Sequence, residues 1–146
     1  MSDGHTTNAL DQDRAAALRA AGQQGSGQGS ADALDAFPAV SVANGLYKYV
    51  LINAVVPKSG ERKVLLRSGP GNYHVDVAGP TVNALIAAGL ASDIPGGGRI
   101  NRDDDTKDIS IFGFSYGFGK GDHALAAEMC TAQFSGYKVS VSDGGY

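Results

Sequence analysis

The run Leu46-Tyr-Lys-Tyr-Val-Leu-Ile-Asn-Ala-Val-Val56 constrains the fold more than any other segment. Aromatic and β-branched side chains dominate it, and these suit an extended, pleated, half-buried surface. It reads as one long strand. A shorter strand follows at Lys63 to Arg67, ahead of the first strong helical pattern. Strands arriving in succession argue for α+β with a mixed, mostly antiparallel sheet, not the strict alternation of a doubly wound fold. Lys107 to Phe114 and Tyr137 to Val141 read as further strands. Tyr73-His-Val-Asp-Val77 alternates, which predicts a strand with Tyr73, Val75 and Val77 on one face and His74 with Asp76 on the other. Pro80 to Leu90 reads as a helix with Pro in its first turn and Val82, Leu85, Ile86 and Leu90 at helical spacing. Asp122 is a good N-cap for a second helix running to about Phe134. The expectation is a single α+β domain of about six strands flanked by two helices.

A chain of 146 residues with 42 % apolar content holds one modest core. Its 21 glycines predict many tight turns or close backbone approaches. No apolar run approaches the length of a membrane span, and the N-terminus lacks a secretory pattern. The single Cys130 excludes an intrachain disulfide and any CxxC metal site, and its apolar neighbours Leu125 and Met129 mark it as a core residue. A soluble, cytoplasmic protein is expected. Residues 1–35 carry five acids (Asp3, Asp11, Asp13, Asp32, Asp35) and two bases (Arg14, Arg19), which accounts for the net charge of −3. The rest is neutral. That balance is a poor match for nucleic acid, which calls for a basic face. It suits a small anion gripped locally. Asn8 to Ala21 is an Ala-rich, marginal helix with Asn8 as cap and Gly22 just past its end. Gly22-Gln-Gln-Gly-Ser-Gly-Gln-Gly-Ser30 has a linker's composition. Residues 1–35 therefore read as a disordered or weakly helical acidic tail, and 36–146 as the domain.

The segment from Ile109 to Cys130 is the most informative for chemistry. A strand ends at Phe114, Gly117, Gly119 and Gly121 free the backbone, and a helix begins. Amides at such a junction form an anion cradle, reinforced by the helix dipole. The loop is not a Walker A sequence, because Gly121 and not Ser or Thr follows Lys120. Gly96-Gly-Gly-Arg99 reads either as a second anion nest with Arg99 forking onto phosphate oxygens or as a flexible loop. His74 is either a proton-transfer group oriented by Asp76 or a hydrogen-bonded surface histidine. His123, beside the N-cap, lines the loop, and His5 lies in the tail. The histidines and scattered carboxylates match no zinc spacing.

Several segments together resemble the Janus/ocnus family, whose best-known activity is phosphohistidine hydrolysis. They are Gly45 to Ile52, Tyr73-His-Val-Asp-Val77, Gly96-Gly-Gly-Arg-Ile100, Ile111 to Gly119, Asp122-His-Ala124 and Ser142-Asp-Gly-Gly-Tyr146, in the family's order and covering about Phe37 to Tyr146. The stretch Arg67 to Asn72 departs from the family, which is longer and aromatic there. The resemblance implies a monomer with a mixed sheet and two flanking helices that hydrolyses phosphohistidine in proteins or peptides, releases inorganic phosphate, and needs no metal or other cofactor. It implies His74 as the catalytic histidine, acting as general base or nucleophile. It implies Lys48 and Arg99 as basic residues of the phosphate pocket, and Ser115, Tyr116 and Gly117 as the loop whose backbone binds phosphate, with His123 alongside. A catalytically silent module that only binds phosphate or a phosphoprotein is the alternative. Neither reading calls for nucleic acid or a membrane.

Overall fold

The computed structural model describes residues 3–24 and 27–142, with residues 3–8 as backbone alone. The run Leu46–Val56 lies at its centre: β2, Gly45–Val55, pairs antiparallel with β3, Arg62–Ser68, on one side and with β4, Ala91–Asp103, on the other. β1, Val40–Val42, pairs parallel with β3 at one edge. β5, Asp108–Phe112, pairs antiparallel with β4, and β6, Lys138–Val141, closes the other edge parallel to β5. The order β1-β3-β2-β4-β5-β6 makes one six-stranded mixed sheet among the described residues. Among the described residues four helices accompany it: α1, Asp3–Gln23; the single turn α2, Ala31–Asp35; α3, His74–Ala87; and α4, His123–Gln133. The α+β architecture expected from the sequence is the one observed.

Two cores form because strand side chains alternate between faces. Val50, Ile52, Ala54 and Leu65 pack under α3 through Val75, Ala78, Val82 and Leu85. Tyr49, Leu51, Leu66, Ile100, Ile109 and Ile111 pack under α4 through Ala126 and Cys130. α3 carries the chain over β2, since β3 and β4 flank that strand and both run antiparallel to it. α1 lies against α3 and β4, with Ala15 fully buried and Leu18 partly so. It starts five residues before the Asn8 cap read from the sequence.

Two local expectations are corrected. Tyr73 to Val77 is not a strand. Tyr73 is extended, and the helix begins at His74, six residues ahead of Pro80. The Asp76 carboxylate accepts the Tyr73 N–H at 3.0 Å, closing the first turn where a capping side chain belongs. Gly96 to Arg99 is not a loop. It lies within β4, just after a bulge in which Ile94 and Pro95 face the single residue Ile52. Pro95 sits where the ladder is already interrupted, so its missing N–H costs little.

Candidate active site

Strand pairing places three cations together. Lys48 on β2 is directly opposite Arg99 on β4, and Val50, next on the same face, is opposite Arg67 on β3. That face carries α3. Like charges directly opposed on a sheet repel, so the Lys48–Arg99 pair suits an anion received between them. Arg67 is spoken for. Its guanidinium donates to the Leu66 carbonyl at 3.0 Å and the Pro38 carbonyl at 2.8 Å, on the rim of a cleft of about 200 Å³ shared with Ser68, Asp76 and Pro80.

His74, the first residue of α3, is buried to 2 % exposure. Its Nε2–H donates to the Gly98 carbonyl at 2.8 Å. A carbonyl can only accept, so this bond fixes the tautomer and leaves the lone pair on Nδ1. Burial lowers the imidazole pKa to about 4, with the Lys48 and Arg99 charges pushing the same way against the Gly98 bond. The ring is neutral at neutral pH. The ring is held by the Gly98 backbone carbonyl, not by Asp76 as read from the sequence. Asp76 instead caps the helix and meets Arg14 at 2.9 Å.

The two glycine clusters lie against each other. Gly97 N–H donates to the Gly119 carbonyl at 3.0 Å, and Gly121 N–H to the Gly97 carbonyl at 2.7 Å. A Cβ on Gly97 would run into the Tyr49 carbonyl and lie 3.1 Å from His74 Cδ2. On Gly98 it would lie 2.5 Å from the Phe112 carbonyl oxygen and 2.8 Å from His123 Cε1. The glycines of β4 thus admit histidine rings and neighbouring backbone; they form no separate anion nest. Beyond β5, Ser115 and Gly119 exchange backbone bonds at 3.1 and 2.9 Å, and Ser115 Oγ accepts the Phe118 N–H at 3.0 Å. Among the described residues no backbone bond of this turn uses the Gly117 amide. The α4 N-terminus, read from the sequence as part of an anion cradle, is capped by its own Asp122, which accepts the Leu125 N–H at 3.0 Å.

His123 points inward. Its Nε2–H donates to the Gly113 carbonyl at 2.9 Å, and its Nδ1 accepts from the Tyr49 hydroxyl. Both ring nitrogens are engaged, so it braces the loop's base and offers no nitrogen to a ligand. Burial raises the Tyr49 pKa, which keeps that hydroxyl protonated as the donor. Tyr116 is 47 % exposed beside Phe114. Among the described residues no group of three His, Cys, Asp or Glu is placed to hold a metal, and no helix is long and apolar enough to cross a membrane. Of the terminal motif, Asp143 to Tyr146 lies outside the described residues. Sequence reasoning missed Tyr49, which reads as an ordinary strand residue, and Asp11, whose burial nothing in the chain signals.

A model of the Janus/Ocnus family matches residues 34–138. The sex-regulated protein janus-A of Drosophila mauritiana is 32 % identical over 118 residues, covering 80 % of this chain and 87 % of that protein. The same-named protein of Drosophila melanogaster is 31 % identical over an equal span. A protein named 14 kDa phosphohistidine phosphatase, from Sus scrofa, is 33 % identical over 110 residues, covering 71 % of this chain and 87 % of that one. The chain belongs to the Janus/Ocnus family.

Proposed function

We propose that this chain hydrolyses the P–N bond of phosphohistidine in proteins or peptides, without a metal, using His74. One observation carries the reading: a buried, neutral imidazole with its tautomer set by Gly98 lies on the face where Lys48 and Arg99 stand opposed. The name of the pig relative supports the substrate class. The phosphoryl oxygens sit between Lys48, Arg99 and the Gly117 amide in the Ser115–Gly119 turn, whose Ser115 N–H is already given to Gly119, with Tyr116 at the mouth. Transfer from nitrogen passes through a loose transition state, so positioning and charge stabilisation supply most of the acceleration.

With the far nitrogen of the substrate ring protonated, the P–N electron pair returns to the ring, which leaves as neutral imidazole. Water forms the new P–O bond, and His74 Nδ1 takes its proton. A base with a pKa near 4 is weak in the empty site. The bound phosphoryl dianion offsets the Lys48 and Arg99 charges that depress it, so the imidazole becomes more basic once substrate is present. His74 as nucleophile uses the same lone pair and gives a transient phosphohistidine on the enzyme. Single-turnover quenching distinguishes the two roles.

The test is phosphate release from a phosphohistidine peptide, with and without chelator. Wild type turns over in both conditions, and His74→Ala loses about 10²–10⁴-fold in rate while remaining folded. Near-wild-type turnover in that variant overturns the mechanism. A tight complex without phosphate release from the wild-type chain replaces it with the binding-module reading.

A further inference from the structure

α1 sits on the loop that the proposed reaction needs open. A Cβ on Gly117 would lie 2.6 Å from Ala15 Cβ and 3.2 Å from the Asp11 carbonyl oxygen. Gln12 Nε2 donates to the Tyr116 carbonyl at 3.4 Å. From the same helix Arg14 reaches across to Asp76, in the first turn of α3 behind His74, and lies over the Tyr73 ring. One helix thus spans both walls of the candidate site. The Asp11 side chain is carried with it to 6 % exposure, among charges from Lys48, Arg14 and Asp76. Its Oδ1 is buried and has no hydrogen-bond partner among the described residues.

We propose that α1 is a releasable cover of the phosphate seat: docked, it places the Asp11–Ala15 turn over Gly117, and it must leave before a phosphoryl group enters. This rests on the function proposed above. A buried carboxylate oxygen left without a hydrogen bond is a poor component of a permanent interface, and this one lies near Lys48, where an anion is to be received. The hold is also thin. Among the described residues Ala15 is the one fully buried side chain of α1, Leu10 is 57 % exposed, and the Arg14–Asp76 bridge is too exposed to contribute much. Arg19 gives the firmest tie, to the Ile94 carbonyl at 2.6 Å and the Phe118 carbonyl at 3.3 Å. The chain rejoins the domain at Gly29, whose N–H donates to the Gly89 carbonyl at 2.9 Å. The intervening Gln24-Gly-Ser-Gly-Gln28 has the composition of a tether. Cover and phosphate then exclude each other, and the apparent phosphate affinity falls by the fraction of molecules that are docked.

The test uses the full chain in three forms. Ala15→Arg places a charge where there is no room and undocks α1. A cleavable bis-maleimide joining Gln23→Cys to Asp93→Cys, whose native side chains meet at 3.2 Å, locks α1 down. Inorganic phosphate is titrated into each by NMR, and hydrolysis of the phosphohistidine peptide is measured in parallel. We expect Ala15→Arg to bind phosphate about tenfold more tightly than wild type, the locked form to bind at least tenfold more weakly, and cleavage of the linker to restore it. Equal affinity in all three, or weaker binding in Ala15→Arg, overturns the cover and leaves the proposed function standing. No phosphate binding in any form overturns that function and the cover with it. Should Ala15→Arg fail to fold, the locked and released forms decide the matter alone.

Discussion

His74 shows how one residue ties the site to the stability of the whole chain. Its pKa falls from 6.5 in the unfolded chain to about 4 in the folded one. Between those values the unfolded state binds more protons, so stability rises with pH across that window. It is complete above about pH 6.5 and erodes as pH falls towards 4, by as much as about 3 kcal/mol from this group alone. Urea unfolding at a series of pH values should show this slope in the wild type. In His74→Asn the slope should be shallower by about 1.4 kcal/mol per pH unit near pH 5. Identical slopes would mean that the ring titrates normally. The residue type was legible in the sequence, but its surroundings were not. Asp76, two residues on, was the orienting group visible along the chain, and only folding brought the Gly98 carbonyl, twenty-four residues away, to within 2.8 Å.

At the scale of elements, the strands were readable where aromatic and β-branched residues cluster, as in β2 and β3, and α4 was readable from Asp122. The first turn of α3 was not. Tyr73 to Val77 alternates over five residues, too short a window to separate the two periods, and Pro80 pulled the apparent helix start forward. The signal available was Asp76, three residues after Tyr73, where a helix-closing carboxylate stands. The Gly96–Gly98 run misled for a different reason. Glycine ordinarily weakens a strand, but here the neighbouring backbone and two imidazole rings occupy the space of a side chain. The same Gly→Ala change should therefore act oppositely at two sites. Gly98→Ala should lower the unfolding free energy by about 1–3 kcal/mol through overpacking. Gly79→Ala, inside α3 with nothing beyond its chain neighbours and its own helix backbone within 4 Å of its Cβ position, should raise it by about 0.5–1 kcal/mol. Denaturant midpoints measure both, and a destabilised Gly79→Ala would remove the argument from open space.

Across the whole molecule, the sheet separates a face that carries the candidate chemistry from one that carries none. Lys48, Arg99, His74 and α1 lie on the α3 side, whereas Cys130 is fully buried under α4 on the other. Burial raises the Cys130 pKa to about 11, so the thiol is both covered and protonated at neutral pH. Iodoacetamide should label it only through global opening, orders of magnitude more slowly than in denaturant. The rate should be the same with α1 docked or released. Faster labelling in Ala15→Arg would show that α1 supports the fold as a whole and not only the site beneath it.

Composition and periodicity along the chain were enough to specify an α+β domain, the strands β2, β3 and β5, the capped α4 and the residue types of an anion site, because those follow from local propensity and burial pattern. Tertiary structure decided the rest: that β4 runs through three glycines, that His74 opens a helix, that His123 turns inward, and that α1 rests on Gly117. Each depends on which distant atoms occupy the adjoining space. Packing of that kind is settled between segments, and no single segment carries it.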